Sequence, residues 1–241
     1  MTLKIGVVGG SIAGCSAAIL LSRAGHDVTV YERHRGSLVG RGGGIGTPSA
    51  VLNGLIDNDE IDADFPNFTT TEMPFVGKRS PDDRYGRTAW GFPLDLRAFH
   101  WSALWNNLRR RVPDEIYREG QQVTGAHMDG RATAVLQLAD GSQEEFDLVL
   151  FADGYQSLGR QLLFPEAKLI YRGYMLWRGL LPEAEMPESA PLGTKVPRLS
   201  HAAIPGHTVM YFIPSDNGSV AKGQRIYNWA SYIPLALSLI H

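Results

Sequence analysis

Lys4-Ile5-Gly6-Val7-Val8-Gly9-Gly10-Ser11-Ile12-Ala13-Gly14 is the stretch whose reading decides the fold. Residues 3 to 8 form an apolar run too short for a helix and read as a buried strand. Ile12 to Ala24 is apolar nearly all round, which predicts a helix covered on more than one side. Gly25 follows where a helix most often ends in a left-handed residue. Val28 to Glu32 then reads as a second strand. Strand, helix and strand within about 30 residues is the size of a crossover unit of a parallel sheet.

The six residues Gly9-Gly10-Ser11-Ile12-Ala13-Gly14 lie between the first strand and the helix, where a G-x-G-x-x-G pattern acquires a mechanical meaning. Gly9 permits the tight turn. Ser11, in place of the middle glycine, stays small enough for the backbone to approach a pyrophosphate. Gly14 and Ala18 let helix and sheet pack closely, and the first helical amides, at Ser11, Ile12 and Ala13, offer N–H groups and a positive dipole end to phosphate oxygens. A turn before a well-packed helix accounts for these glycines equally well, but Glu32 adds an independent signal. It closes the second strand, where a carboxylate accepts hydrogen bonds from the ribose hydroxyls of an adenosine. Its charge disfavours a 2′-phosphate despite Arg33 and Arg35 beside it, so FAD or NAD fits this site better than NADP.

Further along, Gly40 to Gly46 is too rich in glycine for regular structure, and Asp57 to Asp64 reads as an acidic connection; neither is expected to extend a sheet. Leu104, Leu108 and Val112 recur at helical spacing in a helix over Ala98–Val112 that Pro113 ends. Arg109 to Arg111 in its last turn suit the helix dipole without any ligand. Three strands near 122–128, 132–138 and 145–151, joined at Asp129-Gly130 and Asp140-Gly141, read as a β-meander returning to a buried strand. From Lys168 onward, aromatic and β-branched residues predict a second, mostly antiparallel sheet.

The chain has 241 residues, enough for one large domain or two interleaved ones, and a formal net charge of -2. That charge gives no surplus of Lys and Arg to drive binding to nucleic acid or to an anionic membrane. Cys15 is the single cysteine, which excludes an internal disulfide and a thiolate cluster and suits a reducing, cytoplasmic setting. Its place at a helix start could lower a thiol pKa, but a small residue packed against the sheet is the plainer reading. No secretory signal, membrane span or metal-ligand spacing is legible, and no metal is expected.

Asp147-Leu148-Val149-Leu150-Phe151-Ala152-Asp153-Gly154, followed by Ser157 and Arg160, is a buried strand ending in an Asp-Gly corner and then a helical turn. By itself the corner is an ordinary turn. The stretch resembles one found in the single-component flavoprotein aromatic hydroxylases, typified by para-hydroxybenzoate hydroxylase. The glycine loop and Tyr174-Met175-Leu176-Trp177-Arg178-Gly179-Leu180 are most similar to dihydroxypyridine hydroxylase-like members. The resemblance implies an α/β fold in which a Rossmann-like FAD-binding domain of the GR2 type (1–70 and 98–165) interleaves with a mostly antiparallel substrate domain (71–97 and 166–241).

It also implies an FAD-dependent monooxygenase that hydroxylates an electron-rich aromatic or heteroaromatic ring, with FAD as cofactor and NAD(P)H and O2 as co-substrates. By resemblance, Asp153, Gly154 and Arg160 serve FAD and NAD(P)H. Arg41 takes the place of an arginine beside the flavin, and Arg97 opens the helix that runs along FAD. His100, three places after Arg97, departs from the leucine usual there. Trp177, Tyr211 and Trp229 are candidates to line a ring pocket, strand aromatics being more often core. No catalytic side chain is assigned, because the cofactor carries the oxygen chemistry. A homodimer is compatible with the resemblance. The family's later Gly-Asp motif has no counterpart in this sequence, so a shortened product that binds FAD or ADP and catalyses nothing stays open, as does another FAD oxidoreductase of the same fold.

Overall fold

The structure is a computed structural model. It describes residues 1–78, 80, 82–83, 86–130, 133–186, 192–201, 205–236 and 238. In chain order the elements are β1 (Lys4–Val8), α1 (Ile12–Arg23), β2 (Asp27–Glu32), β3 (Gly44–Pro48), α2 (Ser49–Asp57), β4 (Phe68–Gly77), β5 (Arg87–His100) and α3 (Trp101–Arg109). There follow β6 (Tyr117–Glu119), β7 (Val123–Met128), β8 (Ala134–Leu138), β9 (Gln143–Phe146), β10 (Leu148–Phe151), α4 (Leu158–Leu163), β11 (Tyr174–Pro182), β12 (Arg198–Ser200), β13 (His207–Ile213) and β14 (Ile226–Pro234). They make two compact units, Met1–Gly40 with Leu104–Leu169, and Arg41–Ala103 with Ile170–His241.

The first unit is built on a parallel sheet in the order β10-β1-β2-β6. Alternation along β1 sets its two faces. Gly6 and Val8 look toward the meander β7-β8-β9: a Cβ on Gly6 would touch Leu136 and Phe146, and Val8 packs with Tyr31, Leu136, Leu138 and Phe146. Val7 faces α1, whose Gly14, Cys15, Ala18 and Ile19 are buried. Full burial of a side chain such as Leu136 or Phe146 contributes about 1.5–3 kcal/mol, so the meander is fastened by its apolar face. The expected strand over 145–151 is two strands. Phe146 ends the meander in that core, and Leu148–Phe151 leaves it to pair in parallel with Ile5–Val8. The expected start of its neighbour at Ala132 lies outside the described residues.

The second unit holds a seven-stranded sheet in the order β11-β14-β13-β12-β4-β5-β3. All its pairs are antiparallel except β12 with β4. This corrects the reading of Gly40–Gly46 as a loop outside any sheet: Gly44–Pro48 pairs with Leu96–His100. Glycine lowers strand propensity, but a strand here needs residues with no side chain, because a Cβ on Gly44 would lie 2.6 Å from Asn228 Cγ. The same pairing keeps Ala98–His100 extended, so the helix expected from Ala98 starts at Trp101. It also packs 41–70 and 98–103 with the second sheet, where the resemblance grouped them with the first strands. Helix α2 escaped the sequence reading, although Val51, Leu52, Leu55 and Ile56 recur at helical spacing over its nine residues.

Candidate functional site

Parallel strands β10, β1 and β2 end side by side, so the turn after β1, the Asp-Gly corner after β10 and Glu32 at the end of β2 share one edge of the first unit. Ligands of such sheets bind at the carboxyl ends of the strands. The two turns touch: a Cβ on Gly9, whose φ is 101°, would lie 2.5 Å from the Ala152 carbonyl oxygen. A Cβ on Gly14 would lie 1.8 Å from the Gly9 oxygen, so α1 sits against the turn at a distance only glycine allows.

The amides between Gly9 and Gly14 divide into two groups. Gly9 N–H continues the ladder to the Tyr31 carbonyl at 2.8 Å, and Gly10 N–H donates to Glu32 Oε2 at 2.9 Å. Both are therefore satisfied within the protein. The N–H groups of Ser11, Ile12, Ala13 and Gly14 have no acceptor among the described residues, as the geometry of a first helical turn requires. They leave the positive end of α1 open to an anion.

Glu32 is buried at 7% exposure. Its Oε1 accepts from the backbone N–H of His34 at 2.8 Å and from His34 Nδ1 at 3.0 Å. With Gly10 on the other oxygen, three of the roughly four acceptor positions of a carboxylate are used and one stays open toward a ligand hydroxyl. Arg33, next along, is exposed.

At the Asp-Gly corner, Gly154 has φ 81°, Asp153 Oδ2 accepts from Leu158 N–H at 2.6 Å, and Ser157 Oγ accepts from Arg160 N–H at 3.1 Å. Two side-chain carboxyl and hydroxyl caps thus start the short helix α4. Asp153 Oδ1 and Arg160 Nε are buried and have no hydrogen-bond partner among the described residues. A buried polar atom without a partner costs about 1–3 kcal/mol, a cost that a hydrogen bond to an outside group would relieve. FAD carries hydroxyl and N–H groups for the carboxylate oxygen and phosphate oxygens for the guanidinium, so these residues fit the cofactor the resemblance implies.

The second unit places the other expected residues. Arg41 is exposed. Arg97 lies on β5 and does not open α3, which corrects its expected place; its guanidinium donates to Ser49 Oγ at 3.1 Å and to Thr69 Oγ1. Trp177, Tyr211 and Trp229 do not line one face. Trp229 sits opposite Gly179 and Met210 and packs in the core with Phe212, whereas Tyr211 sits opposite Asn228 on the other face of the sheet. Trp177, in step with Gly179 along β11, shares the face of Trp229 and is 57% exposed.

Sequence reasoning missed Asn228, buried at 4%, whose Oδ1 accepts Gly44 N–H at 2.8 Å. It also missed Trp105 and Tyr117 in the first unit, both hydrogen-bonded to Gly10. Trp105 fell inside the expected helix Ala98–Val112 without being singled out, and Tyr117 lay between the expected elements. Among the described residues no group of three or more His, Cys, Asp or Glu is placed to hold a metal, and no helix is long and apolar enough to cross a membrane.

Two family models match the chain, an NAD(P)-binding Rossmann-like domain over residues 7–47 and an FAD binding domain-like model over 171–239. The chain is 31% identical over 185 residues to 2,6-dihydroxypyridine 3-monooxygenase of Paenarthrobacter nicotinovorans, a match covering 77% of this chain and 45% of that protein. It is 29% identical over 193 residues to 6-hydroxynicotinate 3-monooxygenase of Pseudomonas fluorescens, covering 76% and 49%. The solved structure of 2,6-dihydroxypyridine-3-hydroxylase from Arthrobacter nicotinovorans superposes with a TM-score of 0.83 at 28% identity, over 98% of this chain and 57% of that one. The chain thus spans about half the length of the relatives it matches. In its sequence, its mixed α/β fold and its Rossmann-like sheet, the chain is similar to FAD-dependent aromatic hydroxylases.

Proposed function

We propose that the protein acts as an FAD-dependent monooxygenase that hydroxylates an electron-rich aromatic or heteroaromatic ring, using NAD(P)H and O2. One observation carries this: the unsatisfied amides of Ser11 to Gly14 share a sheet edge with Glu32 and the unpartnered Asp153 Oδ1. Bound FAD would supply the redox chemistry, hydride acceptance from NAD(P)H and O2 activation. The chain's own residues hold and orient. Ser11, Ile12, Ala13 and Gly14 donate to the diphosphate, Gly9 keeps the turn tight, and Glu32 takes a ribose hydroxyl. Asp153 and Arg160 receive a cofactor group at the corner that Gly154 turns. Arg41 and Arg97 are assigned to the same cofactor on the resemblance alone and Arg33 on its place beside Glu32; the division of the chain into FAD-serving segments (1–70, 98–165) and substrate-serving segments (71–97, 166–241) rests on the resemblance as well.

The substrate reading is drawn from relatives whose names specify hydroxylated pyridine and nicotinate rings. The reading also takes the reaction to the cytoplasm, where a single reduced thiol is stable. Purified protein mixed with one equivalent of FAD tests the proposal. A flavin spectrum retained through gel filtration, with NAD(P)H oxidation stimulated by a hydroxylated pyridine, is the expected result. Protein that stays colourless refutes it, and retained flavin without any oxidation supports instead the reading of a binding chain with no turnover.

A further inference from the structure

The Gly10–Ser11 peptide is held at its carbonyl end in the first unit. Its carbonyl oxygen accepts from Trp105 Nε1 at 3.0 Å, from Tyr117 Oη at 2.8 Å and from Cys15 Sγ at 3.3 Å, while Gly10 N–H is held by Glu32. Both aromatic donors are buried, Trp105 at 4% and Tyr117 at 5% exposure. Arg109 stacks on the Tyr117 ring at 3.9 Å and is itself fixed by Asp114 Oδ1 and the Val112 carbonyl at 2.7 Å each. Gly10 is glycine because the phenol lies over it: a Cβ there would be 2.3 Å from the Tyr117 oxygen. Two strong donors and a thiol exceed what a turn carbonyl needs, since one partner already satisfies it.

Peptide geometry gives the surplus a purpose. Among the described residues every peptide bond is trans, so the Gly10 carbonyl and the Ser11 N–H of the same planar unit point in opposite directions. Drawing the oxygen toward Trp105 and Tyr117 aims the Ser11 N–H away from them, and that N–H has no acceptor among the described residues.

We infer that Trp105 and Tyr117 are positioning residues for diphosphate binding: by holding the Gly10 carbonyl they lock the Ser11 amide in the orientation that meets a phosphate oxygen. The inference rests on the nucleotide reading of the turn and adds to it two residues far along the chain. Without them the peptide can rotate, and a donor fixed in advance becomes one that must be ordered when the ligand binds.

ADP and adenosine separate a positioning role from a merely structural one, because they differ by the diphosphate alone. The test titrates each into the whole chain and into Tyr117→Phe and Trp105→Phe, with melting temperatures taken alongside. Losing one neutral hydrogen bond of about 0.5–1.5 kcal/mol should weaken ADP about twofold to tenfold in each variant. Adenosine affinity should stay within about twofold of the unsubstituted chain on the same reasoning. Equal losses for ADP and adenosine, or an unchanged ADP affinity in a folded variant, overturn the inference. Should Trp105→Phe fail to fold, Tyr117→Phe, which removes one oxygen and no volume, decides alone. Glu32→Ala is the control for the underlying reading, since loss of a ribose contact weakens both ligands. If the unsubstituted chain binds neither, the nucleotide reading itself fails and the inference with it.

Discussion

Gly14→Ala is the substitution whose effect the structure defines most sharply. The added Cβ would lie 1.8 Å from the Gly9 oxygen and 2.9 Å from the Gly9 carbonyl carbon, where ordinary contact begins near 3.4 Å. Backbone, unlike the tip of a side chain, cannot swing aside. Gly9 is tied to the Tyr31 carbonyl at 2.8 Å, and its own Cα already faces the Ala152 oxygen. Helix α1 must therefore lift from the turn by about 1.6 Å. Overpacking costs about 1–3 kcal/mol, and a rigid backbone obstacle puts this case at the upper end. Alanine returns about 1 kcal/mol of helix propensity, which leaves a net destabilisation of about 2 kcal/mol. At about 2–4 °C per kcal/mol for a chain of this size, the melting temperature should fall by about 4–8 °C. The helical amides move with α1, so ADP affinity should drop about tenfold or more, equivalent to at least 1.4 kcal/mol. Thermal denaturation followed by circular dichroism, with calorimetric ADP titration, measures both. A folded Gly14→Ala protein with unchanged melting temperature and ADP affinity refutes the reasoning.

Glu32→Ala removes the acceptor of Gly10 N–H and of His34 N–H, so it should cost about 1–3 kcal/mol in urea unfolding as well as weakening FAD retention; unchanged FAD affinity removes the ribose assignment. His100 is held below its ordinary value of 6.5 by burial, with Asp216 opposing the shift and Arg178 adding to it. A histidine depressed in the folded state leaves the unfolded chain binding more protons, so its share of stability is complete above about pH 6.5 and is lost as the pH falls below that value. The melting temperature of His100→Gln should accordingly decline less than that of the parent between pH 7.5 and about 5.5, and parallel declines contradict the assignment. Cys15 is fully buried and its thiol is pushed up to about 12, mainly by burial. A thiol reagent at about pH 8 should label it only after denaturant is added, and rapid labelling of the folded chain contradicts the packing described.

The sequence made β1, α1 and β2 readable because three local signals coincided: an apolar run, small residues at the turn and a terminal acid. Each acts over a few residues, and the structure places them within a residue or two of expectation. The strand Gly44–Pro48 was illegible for the opposite reason. Its residues have poor strand propensity, and what makes them a strand is the partner Leu96–His100 and the bulk of Asn228, some 50 and 180 residues away. Arg97 was misplaced by the same pairing, which keeps the chain extended for three residues beyond it. At the site, the turn and Glu32 announced themselves, but the division between used and free amides did not, because it depends on which acceptors the fold brings to Gly9 and Gly10. Trp105 and Tyr117 gave no signal, as a buried aromatic that donates a hydrogen bond has the same pattern as one that only fills space.

A crystal structure of the chain with ADP tests the central claim most directly. The account predicts phosphate oxygens within hydrogen-bond distance of the Ser11 to Gly14 amides and a ribose hydroxyl on Glu32. ADP bound elsewhere, or a saturated crystal in which that turn contacts no phosphate, contradicts it.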